Sequence, residues 1–168
     1  MQTRNDTQAR DKVWDLIKDI KIAQLITHDG EKLHARPMSA VARENETLWF
    51  MTRFDSPKVE EIAKNPYVLL SYSEPKDQNY VAIHGNATLV KNSEKINALW
   101  SEFARVWFPE GPSDPTIALI RVDVESAEYW DSPSSTFIYA YGYLKARLTG
   151  EAPKNIGDMG HVDMKNAS

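Results

Sequence analysis

The stretch Phe50-Met51-Thr52-Arg53-Phe54-Asp55-Ser56-Pro57-Lys58 carries a dense set of groups able to grip an anion. Ser56 and Pro57 read as the start of a short helix, with Ser at the cap and Pro at the first helical position, where its missing N–H is least damaging. A helix N-terminus presents unpaired N–H groups and the positive end of the helix dipole, which together attract phosphate or carboxylate. The Thr52 and Ser56 hydroxyls and the Lys58 ammonium would then form a phosphate cradle without a glycine-rich loop. Pro57 withholds one donor, so the cradle leans on side chains. Arg36, on the preceding strand, would bring a two-pronged guanidinium to the same phosphate. The plainer reading is a capped surface helix with Arg36 as an exposed strand residue.

A second group of residues is aromatic. Trp100, Phe103 and Trp107 stand at helical i, i+3, i+7 spacing, which reads first as core or dimer interface and second as a stacking wall for a flat ring. Trp130, Phe137, Tyr139, Tyr141 and Tyr143 add to the aromatic C-terminal half. Other chemistries find less support. His28, His34, His84 and His161 show no metal-ligand spacing, and no G-x-S-x-G elbow, Walker loop or dinucleotide fingerprint is present. Glu60-Glu61 and the charges between Asp158 and Asp163 read as solvated.

The elements that must position these groups follow from periodicity. Val13, Leu16, Ile17 and Ile20 recur at helical spacing and predict an amphipathic helix over Thr7 to Ile20. Runs from Ile22 to Thr27, Leu33 to Arg43 and Thr47 to Thr52 predict a three-stranded meander, with Asp29-Gly30 as the first turn. The Ser56-Pro57 helix ends at Asn65-Pro66, and Tyr67 to Tyr72 and Tyr80 to Val90 predict two more strands. Asn92-Ser93 caps a third helix expected to carry Ile96 through Trp107, and Thr116 to Trp130 predicts a long last strand. Phe137 to Leu148 reads as a helix or an irregular arm, and the glycine-rich segment from Gly150 reads as extended. Six antiparallel strands with flanking helices predict a mainly β fold, a closed or split β-barrel with few exposed edges.

Composition agrees with one soluble domain. The 168 residues are 42% hydrophobic and 26% charged, enough to bury a core without disulfide or metal staples. The net charge is −4 and no two basic residues are adjacent, which argues against nucleic-acid binding. Cysteine is absent, which removes thiolate nucleophiles, disulfides and zinc-thiolate sites together. No apolar run approaches a membrane span of about 18 residues, so no membrane partner and a cytoplasmic location are expected.

Ala35-Arg36-Pro37-Met38, Trp49-Phe50-Met51-Thr52, Ser56-Pro57-Lys58 and Asn65-Pro66-Tyr67-Val68, in that order and spacing, resemble the FMN-binding split barrels related to pyridoxamine 5′-phosphate oxidase. Gly85 and the pair Tyr129-Trp130 extend the likeness, and Trp107-Phe108-Pro109-Glu110-Gly111 resembles the bacterial general stress protein branch. The likeness covers about residues 7 to 148. It implies a flavin-binding split-barrel domain over residues 1–150 and an extended C-terminal tail over 151–168. It further implies a homodimer holding FMN, or FAD, at the subunit interface.

Carried over by position, Arg36 matches the arginine that begins the flavin-bordering strand, and Pro37, Met38 and Ser39 would line the flavin ring. Met51-Thr52 matches a Tyr-Thr pair, keeping the Thr. Ser56-Pro57-Lys58 matches a Ser-Arg-Lys phosphate segment with one cation missing, for which Arg53 or Arg36 would compensate. Trp130 matches a tryptophan that reaches the flavin from the second subunit, and Trp107 is a candidate for the partner's wall. After Trp130 the oxidase's substrate-holding Arg-x-His motif is replaced by Asp131-Ser132-Pro133-Ser134-Ser135-Thr136. The resemblance therefore implies a stress-linked FMN oxidoreductase acting on a small molecule other than vitamin B6, or a flavin-binding or storage protein without turnover.

Overall fold

The computed structural model describes residues 7–131, 143, 145–148, 150 and 157–165. Helix α1 (Thr7–Ile20) buries Ala9, Val13, Trp14, Leu16 and Ile17 on one stripe. Lys21 ends it in the left-handed region (φ 68°), its N–H bonding the Ile17 carbonyl at 2.9 Å. Strands β1 (Ile22–His28), β2 (Leu33–Glu44) and β3 (Thr47–Arg53) form the predicted meander. In the β1–β2 turn Asp29 accepts the N–H groups of Glu31 and Lys32, while Gly30 takes a φ of 111° that a side chain would disfavour. Helix α2 (Pro57–Lys64), strands β4 (Tyr67–Glu74) and β5 (Asn79–Val90), helix α3 (Ser93–Leu99), a 3-10 turn (Glu102–Val106) and strands β6 (Ile117–Asp131) and β7 (Asp158–Asp163) complete the chain.

Every strand pairing is antiparallel, in the order β3-β2-β1-β4-β5-β6-β7, and β3 also pairs with β6. That last pairing closes β1 to β6 into the expected six-stranded barrel. Strand β6 makes closure feasible by its length of 15 residues. One of its edges carries β5 over most of its length. The opposite edge is shared, with β3 on Ile117–Asp123 and β7 on Ser126–Asp131. The seventh strand was not expected, since Asp158 to Asp163 reads as solvated charge, yet Val162 is fully buried and Met164 is 2% exposed.

Two cores result. The larger fills the barrel and takes in the buried stripe of α1 together with Ile62 of α2. The smaller lies outside β3 and β6, where Trp49, Ile117 and Leu119 pack against Ile96 of α3 and Phe108. Here the expected third helix is corrected. It stops at Leu99, because Trp100 takes an extended backbone (φ −64°, ψ 138°). The helical register of Trp100, Phe103 and Trp107 is therefore broken, and the reading of Phe103 and Trp107 as core fails: they are 89% and 76% exposed on the single chain. Phe137, Tyr139, Tyr141 and the segment Ser132 to Thr136 lie outside the described residues.

Candidate functional site

Strands β2 and β3 are hydrogen-bonded neighbours only between Ala40–Glu44 and Thr47–Phe50. Beyond Phe50, β3 stays with β6 through Met51, Thr52 and Arg53, while β2 from Ser39 back to Leu33 stays with β1. The two strands thus fork. A cavity of about 790 Å³ lies in the fork, walled by Pro37–Val41 of β2, Met51–Arg53 of β3, Ser56 and Lys58 at the start of α2, and the Ser101–Phe108 segment. Its size falls within the range of small-molecule sites, and its mix of apolar wall and few polar groups is what such sites need.

Pro37, Met38, Ser39, Met51, Thr52, Ser56, Lys58 and Trp107, all singled out from sequence, line this one cavity. Ser56 is the cap residue of α2, but its hydroxyl donates to the Arg53 carbonyl at 2.8 Å and makes no cap hydrogen bond. The Lys58 ammonium donates to Thr52 Oγ1 at 3.1 Å, and the Thr52 and Ser56 hydroxyls are 3.4 Å apart. Three donors therefore converge on one polar corner. Burial, and then the nearby Arg36 charge, push the Lys58 ammonium below the ordinary lysine range, while Glu61 opposes them. Arg53 also reaches the wall, with its guanidinium engaged by Asp55 at 3.1 and 3.2 Å.

Arg36 and Trp130 lie elsewhere. Arg36 shares the inward face of β2 with His34, and its guanidinium donates to Thr27 Oγ1 at 2.5 Å and Glu61 Oε2 at 2.7 Å. Thr27 also donates to Glu61. Burial resists ionisation of Glu61, but the hydrogen bonds from Thr27 and Arg36 and the Arg36 charge outweigh it, so its carboxyl sits below the usual range. The reading of Glu61 as a solvated charge is corrected: it is 8% exposed and pairs with Arg36 behind the polar corner. Its i+3 spacing from Lys58, beside the buried Ile62, is the signal that could have marked it as inward-facing. His34 bonds Asp29 at 2.7 Å, and His84 stacks on Tyr67 with ring centroids 6.2 Å apart. Trp130 stands in a cross-strand row with Tyr80 of β5 and Met159 of β7, whose exposures are 38% and 59%.

The barrel fold has counterparts in known proteins. A putative general stress protein 26 from Jannaschia sp. CCS1 superposes with a TM-score of 0.73 at 23% identity, covering 94% of this chain and 99% of that one. The general stress FMN/FAD binding protein from Xanthomonas citri gives a TM-score of 0.69 at 25% identity, covering 77% and 93%. Among curated proteins, protein bli-3 of Neurospora crassa is 23% identical over 121 residues, 65% of this chain, and the chain spans 58% of that relative's length. The family model described as pyridoxamine 5′-phosphate oxidase like matches residues 8–154, which take in the whole barrel of β1 to β6 and the fork. By that match the chain belongs to the pyridoxamine 5′-phosphate oxidase-like family.

Proposed function

We propose that the fork cavity binds a flavin mononucleotide, with the phosphate at the Thr52–Ser56–Lys58 corner and the ring against the apolar wall. The observation that carries this reading is the convergence of two hydroxyls and one ammonium within a single cavity that also presents Met38, Val41, Met51 and Trp107. A phosphate needs several strong donors and an aromatic ring needs dry, flat contact; this donor set fits both demands. The description of the Xanthomonas citri relative as an FMN/FAD binding protein supports the same reading and admits FAD.

When bound, the flavin supplies hydride or electron transfer. The chain's part is to hold and orient. Lys58 neutralises the phosphate, Thr52 and Ser56 fix its position, and Glu61 keeps the Arg36 guanidinium turned toward Thr27, behind the corner. Pro37, Met38 and Ser39 offer a strand edge freed by the fork, against which the ring's polar rim can bond. The functional unit in this reading is a homodimer, with Trp130 meeting the flavin of the opposite subunit and Trp107, which lines the cavity of its own chain, packing at the subunit seam. The exposure of Trp107, Phe103 and the Tyr80–Trp130–Met159 row is the support for it. The substrate in this reading is a small redox-active molecule.

The protein is expected to purify yellow and to release FMN or FAD on acid treatment. Lys58→Ala should weaken flavin retention by roughly 10- to 100-fold, the scale of one charge-assisted hydrogen bond. Because the Lys58 ammonium is depressed, retention in the wild type should also fall as pH rises through its lowered range. A colourless protein that ignores added flavin would sink the reading. The only titratable groups on the described cavity wall are Arg53 and Lys58, with no carboxylate or imidazole to relay a proton. The alternative reading is a flavin carrier without turnover. Steady NAD(P)H consumption would decide for the enzyme, and bound flavin without turnover for the carrier.

A further inference from the structure

A second cavity, of about 530 Å³, lies beneath the C-terminal half of α1, between it and β2. It meets the fork cavity only along Ser39–Val41 of β2. A bulge in β2 builds it. Ala40 pairs with Phe50 and Ala42 with Trp49, so Val41 is an extra residue in the ladder and the side-chain alternation reverses past it. Arg43 is thereby turned toward α1, its guanidinium 4.7 Å from the centre of the Trp14 ring.

The floor of this cavity is apolar and carries one unusual polar group. Ile17, Leu48 and Trp14 are 7%, 2% and 8% exposed. Tyr72, at 1% exposure, lines the same space, and its hydroxyl makes no hydrogen bond among the described residues. It is also not among the side-chain atoms sealed from solvent without a partner, so its hydroxyl opens onto the cavity. Burial raises the Tyr72 phenol above its ordinary range, which keeps it a neutral O–H donor. A neutral O–H facing the cavity is a donor that a ligand oxygen can accept from. At the rim stand Lys18, Lys21 and Arg43 against a single carboxylate, Asp15. Lys18 and Lys21 form no ion pair among the described residues. A local excess of positive charge on a chain of net charge −4 is not a consequence of composition.

We infer that this cavity binds a planar aromatic carboxylate with a second oxygen at its far end. The ring fills the Trp14–Ile17–Leu48 floor, the far oxygen accepts from Tyr72, and the carboxylate meets the cationic rim. This inference does not rest on a flavin in the fork.

Fluorescence titration of the purified protein with 6-hydroxy-2-naphthoate and with 2-naphthoate, which lacks the hydroxyl, tests it. The wild type should bind the hydroxylated probe about five-fold more tightly, the yield of one hydrogen bond. Tyr72→Phe, which keeps the ring, should abolish that preference. Replacing Lys18 and Lys21 together by Ala should weaken both probes by roughly five-fold, as loss of two exposed charges implies. Absence of saturable binding, equal affinity of the wild type for the two probes, or a preference that survives Tyr72→Phe overturns the inference. So does binding lost in Lys58→Ala but untouched in Tyr72→Phe, since the probe would then sit in the fork. The wild-type comparison stands even if a variant fails to fold.

Discussion

At the scale of single residues, Glu61 decides how the polar corner is built. Its carboxylate lies under α2 with two donors on it, so deleting it strands the Arg36 guanidinium in a largely buried place. Glu61→Ala should cost roughly 3 kcal/mol of stability, the scale for breaking one half of a buried pair. Glu61 titrates below its unfolded range in the native chain, so it adds stability above the unfolded carboxylate pKa and loses it as pH falls through the native value. Urea unfolding at pH 7 and at pH 3 should therefore show a smaller acid loss in Glu61→Gln than in the wild type. Equal losses would remove Glu61 from the account. Its role was hard to read from sequence, because the pair spans 25 positions and Glu60-Glu61 has the look of a solvated helix face.

At the scale of elements, close approach between strands sets the tolerances. Strand β5 shifts register against β6 between His84 and Gly85, and a Cβ on Gly85 would come within 2.5 Å of the Asp123 carbonyl oxygen and 3.1 Å of Val122 Cγ1. Gly85→Ala should lose about 1–3 kcal/mol, read as a lower urea midpoint, because backbone must move to admit the methyl group. A midpoint equal to the wild type's would mean the strands separate more readily than their register suggests. Most strands were legible because half-buried strands alternate, and the turns carry their own chemistry, Asp29-Gly30 between β1 and β2 and Asn45, in the left-handed region at φ 51°, between β2 and β3. Two elements were not. Helix α3 ends at Leu99 with no proline or glycine to announce it, so the aromatic spacing beyond it was misleading. Strand β7 lacks a clear alternation, and its pairing with the far half of β6 makes it a strand. That Pro37–Ser39, Met51–Thr52, Ser56 and Lys58 belong together was suggested by short contiguous segments, whereas the fork that opens the cavity between them is a fact of pairing.

At the scale of the whole molecule, the exposed aromatics and the cross-strand row on β5, β6 and β7 form the surface that the proposed homodimer would cover. Sedimentation equilibrium should give twice the 19.1 kDa chain mass. Trp107→Asp should weaken that association by at least roughly 10-fold, since a buried tryptophan anchor commonly contributes more than that to an interface. A monomeric wild type would defeat the dimer and with it the proposed roles of Trp107 at the seam and Trp130 across it. Among the described residues no helix is long and apolar enough to cross a membrane.

The sharing of one edge of β6 between β3 and β7 also sets a timetable for synthesis. Barrel closure joins residues 47–53 to residues 117–123, and those partners leave the ribosome far apart in time. Until β6 is made, the meander, α2, β4 and β5 can pair among themselves but cannot close, and β3 waits with an open edge. Closure is a long-range event and therefore slow. The nascent chain must keep that edge from other partners until about residue 117 has emerged, and only the last strand then covers the rest of β6.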